Sequence, residues 1–155
     1  LAALIANKGY FYTPHIIKKI DGSEIDEKYR TKHVVDIKEK HFDVVQYGME
    51  LAVKKGTARF GQIDSLVFCG KTGTAQNPHG EDHSIFMGFA PKENPQIAIA
   101  VYVENSGFGA TWAVPIASLM IEKYLHGSIS AKRLHIDKRM MESVIEPKAK
   151  ESEKK

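Results

Sequence analysis

The residues best suited to chemistry stand together near the middle of the chain, as Lys71, Thr72, Gly73 and Thr74. The lysine supplies a fixed positive charge and the threonine hydroxyls supply hydrogen-bond donors, a combination suited to binding a carboxylate. The glycine lets another backbone lie close against this segment. For four residues alone, the alternative is an ordinary strand end with a solvated lysine, so the neighbouring sequence has to decide.

Two other kinds of reactive group occur nearby. A polar loop carries His79, Glu81, Asp82 and His83, for which a solvated loop is the better interpretation and a metal site is not expected. Cys69 is the only cysteine and lies in an apolar segment. This placement favours a buried, inert thiol, and a single cysteine allows no internal disulfide.

Apolar segments on either side of these residues predict a sheet of three strands, at 66–74, 83–90 and 97–103. Because the connections between them are short, we expect an antiparallel meander. The third segment is apolar on both faces, which is typical of a central strand covered on each side. Nearer the start, we predict a helix end over 1–7, a strand over 13–20, and a loop or solvated strand over 24–33.

Two helices complete the predicted α+β fold, in which helices pack on the antiparallel sheet. The first is expected to begin at Asp36 in a capping box with Glu39 and to end at Gly56. Its predicted buried face consists of Phe42, Val45, Met49 and Val53. The second is expected to be capped by Thr111 and to end at Gly127. Its entry includes a packed Trp112, and its predicted buried face consists of Ile116, Met120, Ile121 and Tyr124.

The overall composition is that of a folded globular protein and excludes few functions. The 22 basic residues exceed the 19 acidic ones by only three and are spread along the chain, so nucleic-acid binding is not favoured. No window approaches the roughly 20 apolar residues of a membrane span. The chain opens on Leu1 with an apolar helical pattern already under way, which suggests a piece of a longer parent protein.

The context of the four residues resembles the penicillin-binding transpeptidase family. The segment 70–76, a polar loop and then 86–91 resemble the third active-site motif of that family and its next strand. Further matches follow in the family's order, at Ala6–Gly9 with Pro14–His15, at Gly48–Met49 with Gly56–Ala58, and at Glu104–Asn105 with Ala113–Ala117. The likeness covers residues 1–126 and is strongest to class B proteins of the elongation type, penicillin-binding protein 2. The implied fold is part of the serine β-lactamase-like transpeptidase fold.

The resemblance implies a serine acyl-transfer reaction and no cofactor. In such a reaction a serine attacks the D-Ala-D-Ala carbonyl of a peptidoglycan stem peptide. An amine of a neighbouring peptidoglycan strand then takes the acyl group. By resemblance, Lys71 assists carboxylate binding and proton transfer, while Thr72 and Thr74 bind the donor carboxylate and Gly73 admits the substrate backbone. The backbone N–H of Thr74 would form half of the oxyanion hole.

The chain departs from the family at the nucleophile. The only serine-x-x-lysine match is Ser152–Lys155, which lies downstream at a charged end, and a serine-x-asparagine motif does not occur. The catalytic serine is therefore expected in the parent protein outside this chain, and the chain alone is expected to be inactive. Two rivals stay open: a piece of a serine β-lactamase, and a non-catalytic binding module.

The resemblance also implies partners and a location for the parent. The partners would be stem peptides, β-lactams and proteins of the elongation complex, on the periplasmic face of a bacterial inner membrane, with an N-terminal anchor outside this chain. Residues 127–155 are expected to form a charged extension. In it, 132–139 make a solvated helix face, with a lipid or partner surface as the alternative, and 148–155 make a solvated tail. An exposed sheet edge could also pair with a second copy of the chain.

Overall fold

The computed structural model describes residues 1–17 and 19–146 and has the expected α+β architecture. Its helices are α1 (Ala2–Ala6), α2 (Glu39–Lys54), α3 (Ala113–His126) and α4 (Leu134–Glu142). Its strands are β1 (Tyr10–Tyr12), β2 (Lys32–Val34), β3 (Cys69–Ala75), β4 (His83–Ala90) and β5 (Ile97–Val103). Short 3-10 turns occur at Glu27–Tyr29, Arg59–Gly61 and Ala131–Arg133.

Strands β3, β4 and β5 form the predicted antiparallel meander, in that order. The prediction that 97–103 is the central strand is wrong, because β4 lies between the other two. Within the described residues β5 is an edge strand whose side chains alternate between half-buried and exposed, and Tyr102 is 54% exposed. An apolar run therefore did not distinguish a covered strand from an edge strand.

Each face of this sheet is covered by helices. One buried cluster joins α1, α2 and the sheet through Ile5, Met49, Cys69 and Phe89. A second cluster joins α3, the segment after α2 and the other face of the sheet, and its largest members are Phe68, Phe86, Val114 and Ile121. A fully buried side chain of this size contributes about 1.5–3 kcal/mol through the hydrophobic effect. These clusters fix β3 against α2, which matters for the functional residues.

Helix α2 confirms most of its predicted buried face but not its predicted start. Phe42, Met49 and Val53 are buried, whereas Val45 is 45% exposed. Gln46 is buried instead, because its amide donates to the carbonyl of Ile5 at the end of α1 over 2.8 Å.

The Asp36–Glu39 capping box is wrong. The helix begins at Glu39 with Lys38 as its N-cap and no side-chain cap. The Glu39 carboxylate instead forms an ion pair with Lys8, which follows α1, at 3.0 Å.

Helix α3 ends at Gly127 as predicted, with the glycine in the left-handed region at φ 77°. The expected Thr111 cap is wrong, since Trp112 occupies the N-cap position at the helix entry. Met120 and Tyr124 are also wrong as core residues, being 54% and 63% exposed. Ile121 is buried as predicted, and the buried face also includes Val114, Ala117, Ser118 and Glu122. Apolar periodicity does not predict the burial of Ser118 and Glu122, because both are polar.

The first part of the chain differs from the prediction of a strand over 13–20. The strand lies earlier, at Tyr10–Tyr12, and pairs with Lys32–Val34. Among the described residues of this range, 13–17, 19 and 20, the structure shows only an isolated bridge, between Ile20 and Ser23. Pro14 has no backbone N–H to give to a ladder, which is consistent with the strand ending before it.

The segment after α3 packs on the body of the molecule, and the expectation of a wholly solvated face over 132–139 is wrong. Arg133 is only 6% exposed and pairs with Glu122 of α3. Its neighbour Lys132 is exposed as expected. The predicted tail at 148–155 lies outside the described residues. In the part of the chain that the structure describes, no helix has the length and apolarity needed to cross a bilayer.

Candidate functional site

The four candidate residues lie in β3, at an edge of the sheet. Strand β3 pairs with β4 alone among the described residues, so its other edge is open. Lys71 and Thr74 are exposed, and Thr72 and Gly73 are half-buried. Because side chains alternate along a strand, Thr72 and Thr74 share one face of the sheet and Lys71 lies on the other. The structure thus brings the two hydroxyl residues together, with the lysine across the strand from them.

The lysine of the motif is held close to its own strand. The Lys71 ammonium donates to the carbonyl oxygen of Thr72 over 2.8 Å. An exposed lysine has three N–H donors, so this contact leaves two of them for another acceptor. The positive charge therefore stays beside β3 and can serve a negatively charged ligand at the open edge.

Thr72 has a hydroxyl partner from another element. Its Oγ1 lies 2.7 Å from Oγ1 of Thr57, a residue of the segment that follows α2. Helix α2 packs against β3, which brings this segment to the strand. The hydrogen bond joins the second motif residue to a residue 15 positions earlier in the chain.

The loop after β5 packs against the backbone of β3 and β4 beside the motif. A Cβ placed on Gly109 would lie 2.5 Å from the carbonyl oxygen of Ile85 and 2.7 Å from that of Gly73, so only glycine fits there. Ser84 holds the same loop, since its hydroxyl donates to the Phe108 carbonyl at 3.0 Å and accepts from the Ala113 N–H at 3.1 Å. The loop is therefore fixed in contact with the backbone of β3 at Gly73, inside the motif.

The polar loop between β3 and β4 makes structural contacts. The Asn77 amide donates to Oδ1 of Asn105 over 2.6 Å, and the Asn77 N–H donates to the Asp82 carboxylate over 3.1 Å. His83, at the start of β4 as predicted, accepts the Asn105 N–H on its Nδ1 at 3.0 Å. Within residues 1–17 and 19–146, no three His, Cys, Asp or Glu side chains converge as metal ligands would.

Cys69 is unsuited to nucleophilic chemistry, although it stands two residues before Lys71. It is fully buried, and its thiol donates to the Gln46 carbonyl over 3.3 Å. Burial raises the pKa of this thiol to about 12, so the reactive thiolate is scarce at neutral pH. The prediction of a buried, inert thiol is confirmed.

The sequence reasoning missed Thr57, Ser84 and Gly109 as parts of this site. Gly56–Ala58 is part of the resemblance to the family, but its residue types do not indicate that the Thr57 side chain reaches β3. From the sequence alone, Ser84 is one polar residue in an apolar strand and Gly109 is a glycine in a loop. Only their positions in the fold connect them to the motif.

Comparison with known proteins gives the same family as the motif order. The model of the penicillin binding protein transpeptidase domain matches residues 1–122. A Haemophilus influenzae peptidoglycan D,D-transpeptidase, MrdA, is 30% identical over 79% of this chain and 22% of its own length. A Mycobacterium tuberculosis peptidoglycan D,D-transpeptidase, PbpA, is 31% identical over 82% of this chain and 28% of its own length. The chain thus spans about a quarter of the length of these relatives.

Solved structures agree with that match. The Pseudomonas aeruginosa PBP2 in complex with WCK 5153 is 39% identical, with a TM-score of 0.68, over 84% of this chain and 30% of its own. The ceftriaxone acyl-enzyme of penicillin-binding protein A from M. tuberculosis is 29% identical, with a TM-score of 0.66, over 80% of this chain and 30% of its own. The structure therefore contains part of the fold of these proteins.

Proposed function

This chain belongs to the penicillin-binding protein transpeptidase family, and on that premise we propose that it is the C-terminal part of a peptidoglycan D,D-transpeptidase. The observation that carries the proposal is the position of Lys71–Thr74 on β3, at an open sheet edge inside the matched region. The longer protein would cross-link stem peptides and bind penicillin covalently. The relatives named above as peptidoglycan D,D-transpeptidases support this assignment.

The positions of the side chains support the roles that we propose. A donor peptide would lie along the open edge of β3, where Gly73 carries no side chain to obstruct it. Its carboxylate would accept hydrogen bonds from the Thr72 and Thr74 hydroxyls. The Lys71 ammonium, which extends to the Thr72 carbonyl, would supply positive charge at the same edge. The backbone N–H of Thr74 would donate to the developing oxyanion. In enzymes of this chemistry, losing one oxyanion donor costs about 10²–10³ in rate.

The nucleophile of this reaction would lie outside the chain. Ser84 is fully buried and occupied by two backbone groups, so it is not available for attack. The one serine-x-x-lysine match, Ser152–Lys155, falls outside the described residues and downstream of the motif. We therefore propose that residues 1–155 supply substrate binding and half of the oxyanion hole, and that the serine, its lysine and the middle motif belong to the rest of the protein.

The finer assignments are proposals as well. We propose an elongation-type role, supported by the MrdA and PBP2 relatives, and a place on the periplasmic face of the inner membrane with an anchor outside this chain. Partnership with other elongation-complex proteins and pairing of this chain with a second copy stay predictions. We also propose that the family's domain ends at residue 126, where α3 ends, and that 127–155 is an extension whose first part packs on α3 through Arg133.

The test uses the longer protein that contains this chain, incubated with a stem peptide ending in D-Ala-D-Ala and, separately, with a penicillin. A transpeptidase releases D-Ala when its serine is acylated and then transfers the peptide from the serine to an amine acceptor, and it retains the penicillin as a slowly hydrolysed acyl-enzyme. Rapid turnover of the penicillin would instead identify a β-lactamase. If the protein is not acylated by the penicillin and releases no D-Ala, it is a binding module.

A further inference from the structure

Two threonine hydroxyls from different elements meet at the motif. Oγ1 of Thr57, after the end of α2, lies 2.7 Å from Oγ1 of Thr72, in the middle of β3. A separation of this size is typical of a well-formed hydrogen bond between hydroxyls. Among the described residues, it is the only hydrogen bond of the Thr57 side chain.

The backbone on both sides of Thr57 is fixed. A Cβ on Gly56 would lie 2.8 Å from Cα of Ala52, so this position accepts only a residue without a side chain. Ala58 is fully buried, and its N–H donates to the Ala52 carbonyl over 3.0 Å. Thr57 is therefore presented to β3 from a rigid turn, although its own side chain is exposed.

The direction of this hydrogen bond follows from the chemistry of the ligand. Each hydroxyl has one proton to donate and can accept two hydrogen bonds. An ionised carboxylate only accepts, so Thr72 can bind it only by donating its single proton to it. Thr72 must then accept from Thr57, and the proton of Thr57 must point at Thr72.

We propose that Thr57 is a positioning residue that directs the Thr72 hydroxyl proton toward the carboxylate of the donor peptide or β-lactam. The inference rests on the proposed function, because it takes Thr72 as a carboxylate-binding residue. Thr57 donates to Thr72 and Thr72 donates to the ligand, in a chain of two hydrogen bonds that polarise each other. Thr57 itself touches no substrate.

A purely structural role would have a different signature. If the bond only ties α2 to β3, removing it weakens every reaction of the site equally, with or without a carboxylate on the ligand. If it orients Thr72, removing it weakens only the reactions of ligands that carry the carboxylate. The comparison of a carboxylate with its ester separates the two.

The experiment measures second-order acylation rates of the longer protein by benzylpenicillin and by benzylpenicillin methyl ester. The variants are Thr57→Val, which keeps the shape and removes the hydroxyl, and Thr57→Ser, which keeps the hydroxyl. Thr31→Val is the matched control, since among residues 1–17 and 19–146 the Thr31 hydroxyl bonds only the Glu27 carbonyl, in the segment before β2. Thermal unfolding of each variant shows whether the fold is retained.

We expect Thr57→Val to lower the acid-to-ester ratio of rates about 2- to 10-fold, the worth of one neutral hydrogen bond. Thr57→Ser and Thr31→Val should keep the wild-type ratio. An unchanged ratio in Thr57→Val would overturn the inference while leaving the proposed function intact. Absence of acylation by benzylpenicillin in the wild-type protein would instead overturn the proposed function, and this result precedes any variant.

Discussion

The guanidinium of Arg133 lies 2.6 Å from the carboxylate of Glu122, with the two side chains only 8% and 2% exposed. Arg133 also donates to the Ser118 hydroxyl over 2.6 Å, and the Ser130 N–H donates to the other oxygen of Glu122 over 3.1 Å. This cluster fastens the segment after Gly127 to α3, so that residues beyond the predicted domain limit are part of the packed structure.

Arg133→Met should lower the free energy of unfolding of the chain by about 3–5 kcal/mol, because Glu122 is left as a buried, unpaired charge. Urea unfolding measures the change. The double variant Glu122→Leu/Arg133→Met should recover most of the loss, since it removes both charges. The neighbouring Lys132→Ala is the control: Lys132 pairs with Asp64, but both side chains are about four-fifths exposed, at 82% and 80%. An equal loss in Arg133→Met and Lys132→Ala would refute this account of the cluster.

Glu50 should make the stability of the chain depend on pH in the acid range. Its side chain is 9% exposed, and hydrogen bonds from Lys54 and Lys92 lower the pKa of the carboxyl from its ordinary 4.5. A depressed folded-state pKa gives stability that is present above pH 4.5 and is lost as the pH falls through the lower folded value.

Glu50→Gln should therefore destabilise the chain most at pH 7, by roughly 1–3 kcal/mol. The difference from wild type should shrink as the pH falls from about 5 to 3. Urea unfolding across this range measures both, and Glu93→Gln, an exposed carboxylate next to Lys92, is the control. A gap that stays constant down to pH 3 would rule out the proposed role of the Glu50 charge.

Cys69 should resist alkylation in the folded chain. It is fully buried with its pKa raised to about 12, so iodoacetamide at pH 8 should leave it unmodified for as long as the chain stays folded. Modification should become rapid in urea above the unfolding midpoint. Ser128→Cys adds an exposed thiol as a positive control and should gain one label without denaturant. Equal labelling of both thiols in the folded chain would contradict the buried position.

Lys71→Ala in the longer protein should slow acylation by benzylpenicillin about 10- to 100-fold, the worth of a hydrogen bond to a charged group. The decrease in rate should be seen at low ligand concentration, because the role proposed for Lys71 includes ligand binding as well as the reaction. Lys123→Ala removes an exposed lysine of α3 and should leave the rate unchanged. Unchanged acylation in Lys71→Ala would remove Lys71 from the role given to it.

The sequence predicted the fold class, the three-stranded meander and most of the buried face of α2, because periodicity and turn residues carry that information locally. It failed where a polar side chain takes a buried position through a distant partner. Gln46 replaces Val45 in the core because it bonds Ile5, and Arg133 is buried because it pairs with Glu122. Neither partner can be read from spacing along one element.

The same limit applies to the site. The motif at Lys71–Thr74 was identifiable from residue types and from the order of its neighbours. The support from Thr57 and Gly109 was not, since these residues reach β3 only through the packing of α2 and the loop after β5. The chemistry of the motif could be predicted from the sequence, whereas the residues that position it are identified only in the folded structure.

The central claim is that residues 1–155 bind the substrate of a reaction whose nucleophile lies elsewhere in the protein. Intact-mass spectrometry after incubation with benzylpenicillin, followed by peptide mapping, tests it most directly. The account predicts one penicilloyl adduct on the longer protein, at a serine outside residues 1–155, and none on this chain alone. A stable adduct on any residue of this chain would contradict it.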